Sequence, residues 1–219
     1  MLIIKPSRNK KNFYQIYFDD KLIGCVPKSL VPAEYFIENE IILSDEYIQS
    51  IQQWVEKDAS NKLLEYLSKM ERTVYDCKIY LKRHDVPDEI ISKVIEEAVD
   101  KNWLSDKRYA EYYIEDSIRN NKSPLEIKYK LIQKKVNREI IDELLENVYD
   151  KDIQNNVLDS LIDNLISKYK KSNSGNLFNK IATALYRKGY HYHDYEDILR
   201  KKLKLVLNNL NKKMDNRQN

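Results

Sequence analysis

From about residue 45 onward, apolar positions recur with a helical period. In "VLDSLIDNLISKY" (157–169), Val157, Leu158, Leu161, Ile162, Leu165, Ile166 and Tyr169 fall on one stripe. That pattern predicts an amphipathic helix with one buried face. "SPLEI" (123–127) reads as a helix start, with Ser123 as N-cap, Pro124 in the first helical position and Glu126 completing a capping box. Thr73 and Asp76 hold the matching places in "TVYDC". Before residue 45 the period is two. "FYQIYF" (13–18) alternates and is rich in aromatic and branched residues, Asp19-Asp20 can turn the chain, and "KLIGCV" (21–26) can return it. A β-hairpin is predicted there, within a β region over 1–28 closed by Pro27 and Pro32. "SNSGN" (172–176) predicts a loop.

The helical part repeats itself. Set against 123–150, the stretch 73–100 matches at Lys78/Lys128, Leu81/Leu131, Val86/Val136, Glu89/Glu139, Ile90/Ile140, Ile91/Ile141, Glu96/Glu146 and Asp100/Asp150, without a gap. A more diverged copy runs over 176–203, where Leu185 aligns with the two leucines, Tyr190 with the two valines and Ile198-Leu199 with the late apolar pair. Each copy predicts a helix, a tight turn and a second helix, preceded by a further helix at about 45–69, 106–119 and 152–170. Chance likeness between amphipathic helices does not account for matched caps at one offset. A unit of three helices cannot bury its apolar face alone, so neighbours stack. The expected architecture is mainly α: three tandem three-helix repeats, elongated and curved, behind a small N-terminal β-hairpin segment. The expected boundaries are 1–44 for the β-rich extension, 45–104, 105–150 and 151–213 for the repeats, and 214–219 for a disordered tail. Residues 1–44 are expected to be separable from the helical part.

Composition narrows the function. The 219 residues contain three glycines, Gly24, Gly175 and Gly189, and no Gly-rich phosphate loop. The two cysteines, Cys25 and Cys77, have no paired spacing, which excludes a zinc ribbon or disulfide scaffold and suits a reducing cytoplasm. No signal-peptide pattern or membrane-length apolar run is present, so a soluble cytoplasmic protein is expected. The net charge of +3 is unevenly spread: residues 151–219 carry 14 basic against 7 acidic side chains, and the rest of the chain is slightly acidic. This excess is either a solvated face or an electrostatic foot for nucleic acid or an acidic partner.

Catalytic chemistry is poorly supported. His191 and His193 form an H-x-H beside Asp194, but a loop entering a helix is a poor place for this pair and no third ligand stands out. No Ser/His/Asp or Cys/His set can be assembled. His84 reads as solvated in a polar turn and Cys77 as a small core residue. Most of the 17 tyrosines, Tyr109 and Tyr113 among them, sit at helical spacing and read as core or half-buried; Tyr186, Tyr190 and Tyr192, flanked by Arg187 and Lys188, are the better candidates for stacking on nucleic acid. The middle copy also has a helix-turn-helix outline, but its second helix offers Glu139, Asp142, Glu143 and Glu146, which phosphates repel.

The motifs resemble those of the RecX family, bacterial regulators of the recombinase RecA. "NWLSDKRYAEYY" (102–113) carries Leu104, Asp106, Arg108, Tyr109, Ala110 and Tyr113 in the family's register. "NNKSPLEIKYKLIQKKV" keeps Ile127, Leu131 and Lys134, with Lys135-Val136 for the family's Gly-Ile and Ser123 where glycine is common. "LYRKGYHYHDYEDI" keeps Leu185, Arg187, Lys188 and Gly189, with Tyr190 as the aromatic. The likeness covers about residues 60–205. It implies a non-enzymatic inhibitor without cofactor or metal. Such a protein binds in the groove of the RecA–single-stranded DNA filament and affects recombination, DNA repair and the SOS response. Expected partners are the RecA filament and single-stranded DNA, the chain itself being a monomer. Candidate contacts are Arg187, Lys188, Arg200, Lys201, Lys202, Lys204, Lys134 and Lys135, of which the cations on 200–204 are expected mostly to face solvent. The family-motif residues Leu104, Asp106, Arg108, Tyr109, Ala110, Leu131, Leu185 and Gly189 are expected to be structural. The alternative is a helical-repeat adaptor for nucleic acid or protein with a basic C-terminal surface.

Overall fold

The computed structural model describes residues 2–8, 10–31, 45–169 and 177–215. Three strands, β1 (Leu2–Pro6), β2 (Phe13–Phe18) and β3 (Lys21–Pro27), form an antiparallel sheet in chain order. The predicted hairpin is therefore extended by one strand, in which Ile4 sits opposite Ile16. Asp19 and Asp20 both take left-handed φ, 46° and 61°. A two-residue hairpin turn needs this, and aspartate tolerates it without glycine.

Nine α-helices follow among the described residues: α1 (Asp45–Leu67), α2 (Val74–Arg83), α3 (Asp88–Asp100), α4 (Asp106–Arg119), α5 (Pro124–Gln133), α6 (Arg138–Val148), α7 (Lys151–Tyr169), α8 (Leu177–Arg187) and α9 (Tyr192–Asp215). The loop expected at 172–176 lies outside the described residues, as does most of the expected tail. The chain divides into two compact units, Met1–Tyr109 and Ala110–Asn219.

In the first unit the sheet and helices share one core. Ile16, Val26 and Val31 cluster with Ile51, Val55 and Leu63 of α1, Cys77 and Leu81 of α2, and Ile91, Val94 and Ile95 of α3. Gly24 permits this approach: a Cβ there would lie 2.5 Å from Val55 Cγ2. The expectation of a separable extension is therefore revised, because removing the sheet uncovers the apolar face of α1. In the second unit, α7, α8 and α9 enclose Leu158, Ile162, Ile166, Ile181, Leu185, Tyr190, Tyr195 and Leu199.

Equivalent repeat positions have equivalent environments. Cys77, Ile127 and Ile181 are fully buried, as are Leu81, Leu131 and Leu185. Four residues after each leucine the backbone turns left-handed, at Asp85 (58°), Lys135 (61°) and Gly189 (87°). The amides of Val86, Val136 and Tyr190 then bond back to the carbonyls of Leu81, Leu131 and Leu185, at 3.3, 3.1 and 3.2 Å. This is a Schellman turn, which satisfies orphan carbonyls at a helix C-terminus and packs the following apolar residue under the helix. The middle turn thus keeps its geometry with lysine in place of glycine. The helix starts recur as well: Thr73 accepts the Asp76 amide, and Ser123 and Glu126 form both halves of a capping box.

Candidate interaction surface

The basic third repeat is built around the turn that carries Arg187, Lys188, Gly189 and Tyr190. Lys188 does not face solvent freely. Its Nζ lies 2.8 and 2.9 Å from the two carboxylate oxygens of Glu126, the same residue that caps α5 through the Ser123 amide. Burial opposes the Glu126 charge, but the hydrogen bonds from Lys188 and Ser123 outweigh it and hold the carboxyl below its usual range. Next to it, Gly189 lies against Leu125: a Cβ there would meet Leu125 Cδ2 at 2.5 Å and Leu125 Cβ at 2.7 Å. Tyr190 is buried, and its hydroxyl is 3.1 Å from that of Tyr149, which donates to the Lys122 carbonyl at 3.2 Å. Burial, then the bond to Tyr149, pushes the Tyr190 hydroxyl pKa up. The turn thus seats the third repeat on the second, and Tyr190 is unavailable for stacking on a ligand.

On α9 the expected cations divide. Lys202 is only 15% exposed at its side chain and bridges Asp159 and Asp163 of α7. Burial disfavours its charge, but the two carboxylates overcome this and raise its pKa. Arg200 is exposed, pairs with Glu196 and reaches the Tyr192 hydroxyl. Arg187, Lys201 and Lys204 are exposed and carry no ion pair among the described residues. On the second repeat, Lys135 is exposed at its left-handed turn and Lys134 is half-buried. Tyr186 is 71% exposed and Tyr192 is also exposed. Most of the cations on 200–204 face solvent, but Lys188 and Lys202 are held by internal carboxylates; of the expected contacts on this repeat, Arg187, Lys201 and Lys204 carry no ion pair among the described residues.

The "LSDKRYA" stretch has internal duties. Leu104 is buried in the first core. Asp106 accepts the Val74 amide at 2.8 Å, so it adds a second cap to α2 beside Thr73; burial keeps its pKa raised despite that bond. Arg108 holds Glu71 at 2.7 Å and the carbonyls of Asn102 and Trp103 at 3.2 and 3.1 Å. Tyr109 and Tyr113 are half-buried, and Ala110 is fully buried.

The remaining titratable candidates also resolve. His84 is not a solvated turn residue: it is half-buried, edge-on to Tyr80 at 4.6 Å, and Tyr80 stacks on Tyr66 at 4.1 Å. Cys77 is buried, and desolvation pushes its thiol up to about 12, which makes it a poor nucleophile. His191 and His193 stack on each other, and His193 contacts Asp194. Among the described residues no three His, Cys, Asp or Glu side chains converge to hold a metal. No described helix is long and apolar enough to cross a membrane.

Comparison with known proteins finds likenesses to one family. Residues 105–145, the second repeat almost entire, match "RecX, second three-helix domain". The chain is 29% identical over 192 residues to "Regulatory protein RecX" of Streptococcus uberis, covering 86% of this chain and 72% of that protein. It is 24% identical over 188 residues to the protein of that name from Listeria welshimeri, covering 85% and 70%. A solved structure, "Crystal structure of regulatory protein RecX", superposes with a TM-score of 0.64 at 25% identity, covering 90% of this chain and 98% of that one. The RecX structure from Lactobacillus salivarius gives 0.59 at 28% identity, over 67% and 96%. The helices, the repeat and these likenesses agree, and together they support a RecX family protein.

Proposed function

We propose that this chain is a monomeric, non-catalytic inhibitor of RecA. It binds in the groove of the RecA–single-stranded DNA filament and restrains recombination, DNA repair and the SOS response. The observation that carries this reading is the cationic surface of the third repeat. Arg187, Lys201 and Lys204 stand exposed without carboxylate partners among the described residues, on a chain similar to proteins named regulatory protein RecX. A filament groove presents phosphate and protein together, and unpaired cations suit both. Lys134, Lys135 and Arg200 are supporting contacts. Lys188 and Lys202 are left to their internal partners.

RecA's DNA-dependent ATPase tests the reading. The wild-type chain lowers the rate, and the inhibition fades as salt rises. The triple reversal Arg187→Glu, Lys201→Glu, Lys204→Glu keeps the fold, since exposed substitutions change stability little, and loses inhibition. An adaptor with another partner leaves the ATPase unchanged.

A further inference from the structure

Helix α8 is, among the described α-helices, the one without a carboxylate: "LFNKIATALYR". Its buried side carries Ile181 and Leu185. Its other side forms, with Tyr169 at the end of α7, a cleft of about 380 Å³ lined by Tyr169, Asn179, Lys180, Thr183, Ala184 and Arg187. That volume falls in the range of roughly 300–1,000 Å³ typical of small-ligand sites. The lining combines an aromatic face, two cations, an amide, a hydroxyl and a small residue that leaves room. Among the described residues, no acid lines it to repel an anion. Lys168 lies over the Tyr169 ring at 5.6 Å, adding a third cation beside the aromatic wall.

We propose that this cleft is a subsite for one nucleotide of a single-stranded nucleic acid. The base lies against Tyr169. The phosphodiester is held by Lys180 and Arg187, with Asn179 and Thr183 as hydrogen-bonding groups. Stacking on one aromatic face with cations along the backbone is how single strands are held without sequence readout. A duplex does not fit, because its bases are paired and stacked away from side chains. The inference rests on the reading that this unit meets a filament carrying single-stranded DNA, but it is tested without RecA.

The experiment is fluorescence anisotropy of a labelled oligo(dT) of about 20 nucleotides, titrated with the full chain across salt from about 50 to 200 mM. The wild type binds. Lys180→Ala with Arg187→Ala weakens binding at least about tenfold and lowers the log–log salt slope by about 0.7, the value for one lost phosphate contact on a single strand. Tyr169→Ala weakens binding by about tenfold and Tyr169→Phe retains it. A control pair, Lys57→Ala with Lys78→Ala, removes the same charge from exposed positions of the first unit and changes little. Circular dichroism checks folding, and should Tyr169→Ala unfold, the Lys180 and Arg187 pair decides. The proposal is overturned if the wild type does not bind, if the control pair loses as much as the cleft pair, or if folded Tyr169→Ala binds like wild type. A wild-type chain that inhibits RecA but does not bind the oligonucleotide sinks the subsite alone. Oligonucleotide binding by a chain that leaves RecA's ATPase untouched sinks the functional reading instead.

Discussion

Substituting Gly189 by alanine loads the turn between α8 and α9 in two ways. The backbone there has φ +87°, and an L side chain in the left-handed region costs about 1–2 kcal/mol. The new Cβ also meets Leu125, at 2.5 Å from Cδ2 and 2.7 Å from Cβ. A rotamer change can move Cδ2, but the Leu125 Cβ is fixed to α5, so helix or turn must shift; such overpacking costs about 1–3 kcal/mol. The sum is about 2–5 kcal/mol, which urea unfolding followed by circular dichroism reads as a lower midpoint. Leu125 is 55% exposed, so Leu125→Ala alone costs little. It removes Cδ2 from the clash but not Cβ. The double variant is therefore expected to regain about 1 kcal/mol or more, and the coupling of the cycle measures the contact. A loss below about 1 kcal/mol for Gly189→Ala, or additivity in the double variant, refutes the reasoning, because the turn would then not be wedged against the second repeat.

The other expectations follow from the same structure. Lys135→Gly, at the equivalent turn with open φ strain and an exposed side chain, raises stability by up to about 1 kcal/mol, and a loss at this site contradicts the left-handed assignment. Leu81→Ala, Leu131→Ala and Leu185→Ala each cost about 2–5 kcal/mol in chemical denaturation, and two values below about 1 kcal/mol break the equivalence of the repeats. Burial, then Lys10 and Lys62, lowers the His84 pKa in the folded chain. The unfolded state therefore takes the proton more readily. The stability linked to His84 is present above its unfolded pKa of about 6.5 and is lost as pH falls through the lower folded value. Urea midpoints at about pH 7.5 and 5.5 show the drop, and His84→Gln flattens it; an equal drop in the variant places the effect elsewhere.

The repeat was legible because Leu81, Leu131 and Leu185, with the caps before them, lie at fixed offsets. The alignment also placed Tyr190 on the two core valines. The opposite impression, that Tyr190 faces a ligand, came from its charged neighbours, but the ring itself is buried with its hydroxyl against that of Tyr149. What stayed hidden depended on pairs remote in sequence. Glu126 and Lys188 are 62 positions apart, and no periodicity joins them. Lys202 read as solvent-facing from its helix alone, and its carboxylate partners lie on α7. The left-handed turns at Asp85 and Lys135 carry no glycine, so the punctuation that marks Gly189 was missing twice. Strand β1 was concealed by its brevity: five residues ending in Lys5-Pro6 give too little alternation, and its pairing with β2 supplies what the pattern lacks. The α8 cleft was missed because no motif announces it; its signal was the absence of acids from one helix.

Co-sedimentation with RecA tests the central claim most directly. Filaments assembled on single-stranded DNA are pelleted with the wild-type chain and with the Arg187, Lys201 and Lys204 reversal. The account predicts that the wild type pellets with filaments, that it stays in the supernatant with RecA lacking DNA, and that the reversal variant stays in the supernatant throughout. A wild-type chain left in the supernatant with DNA-bound filaments, or a folded reversal variant pelleting as fully as the wild type, contradicts it.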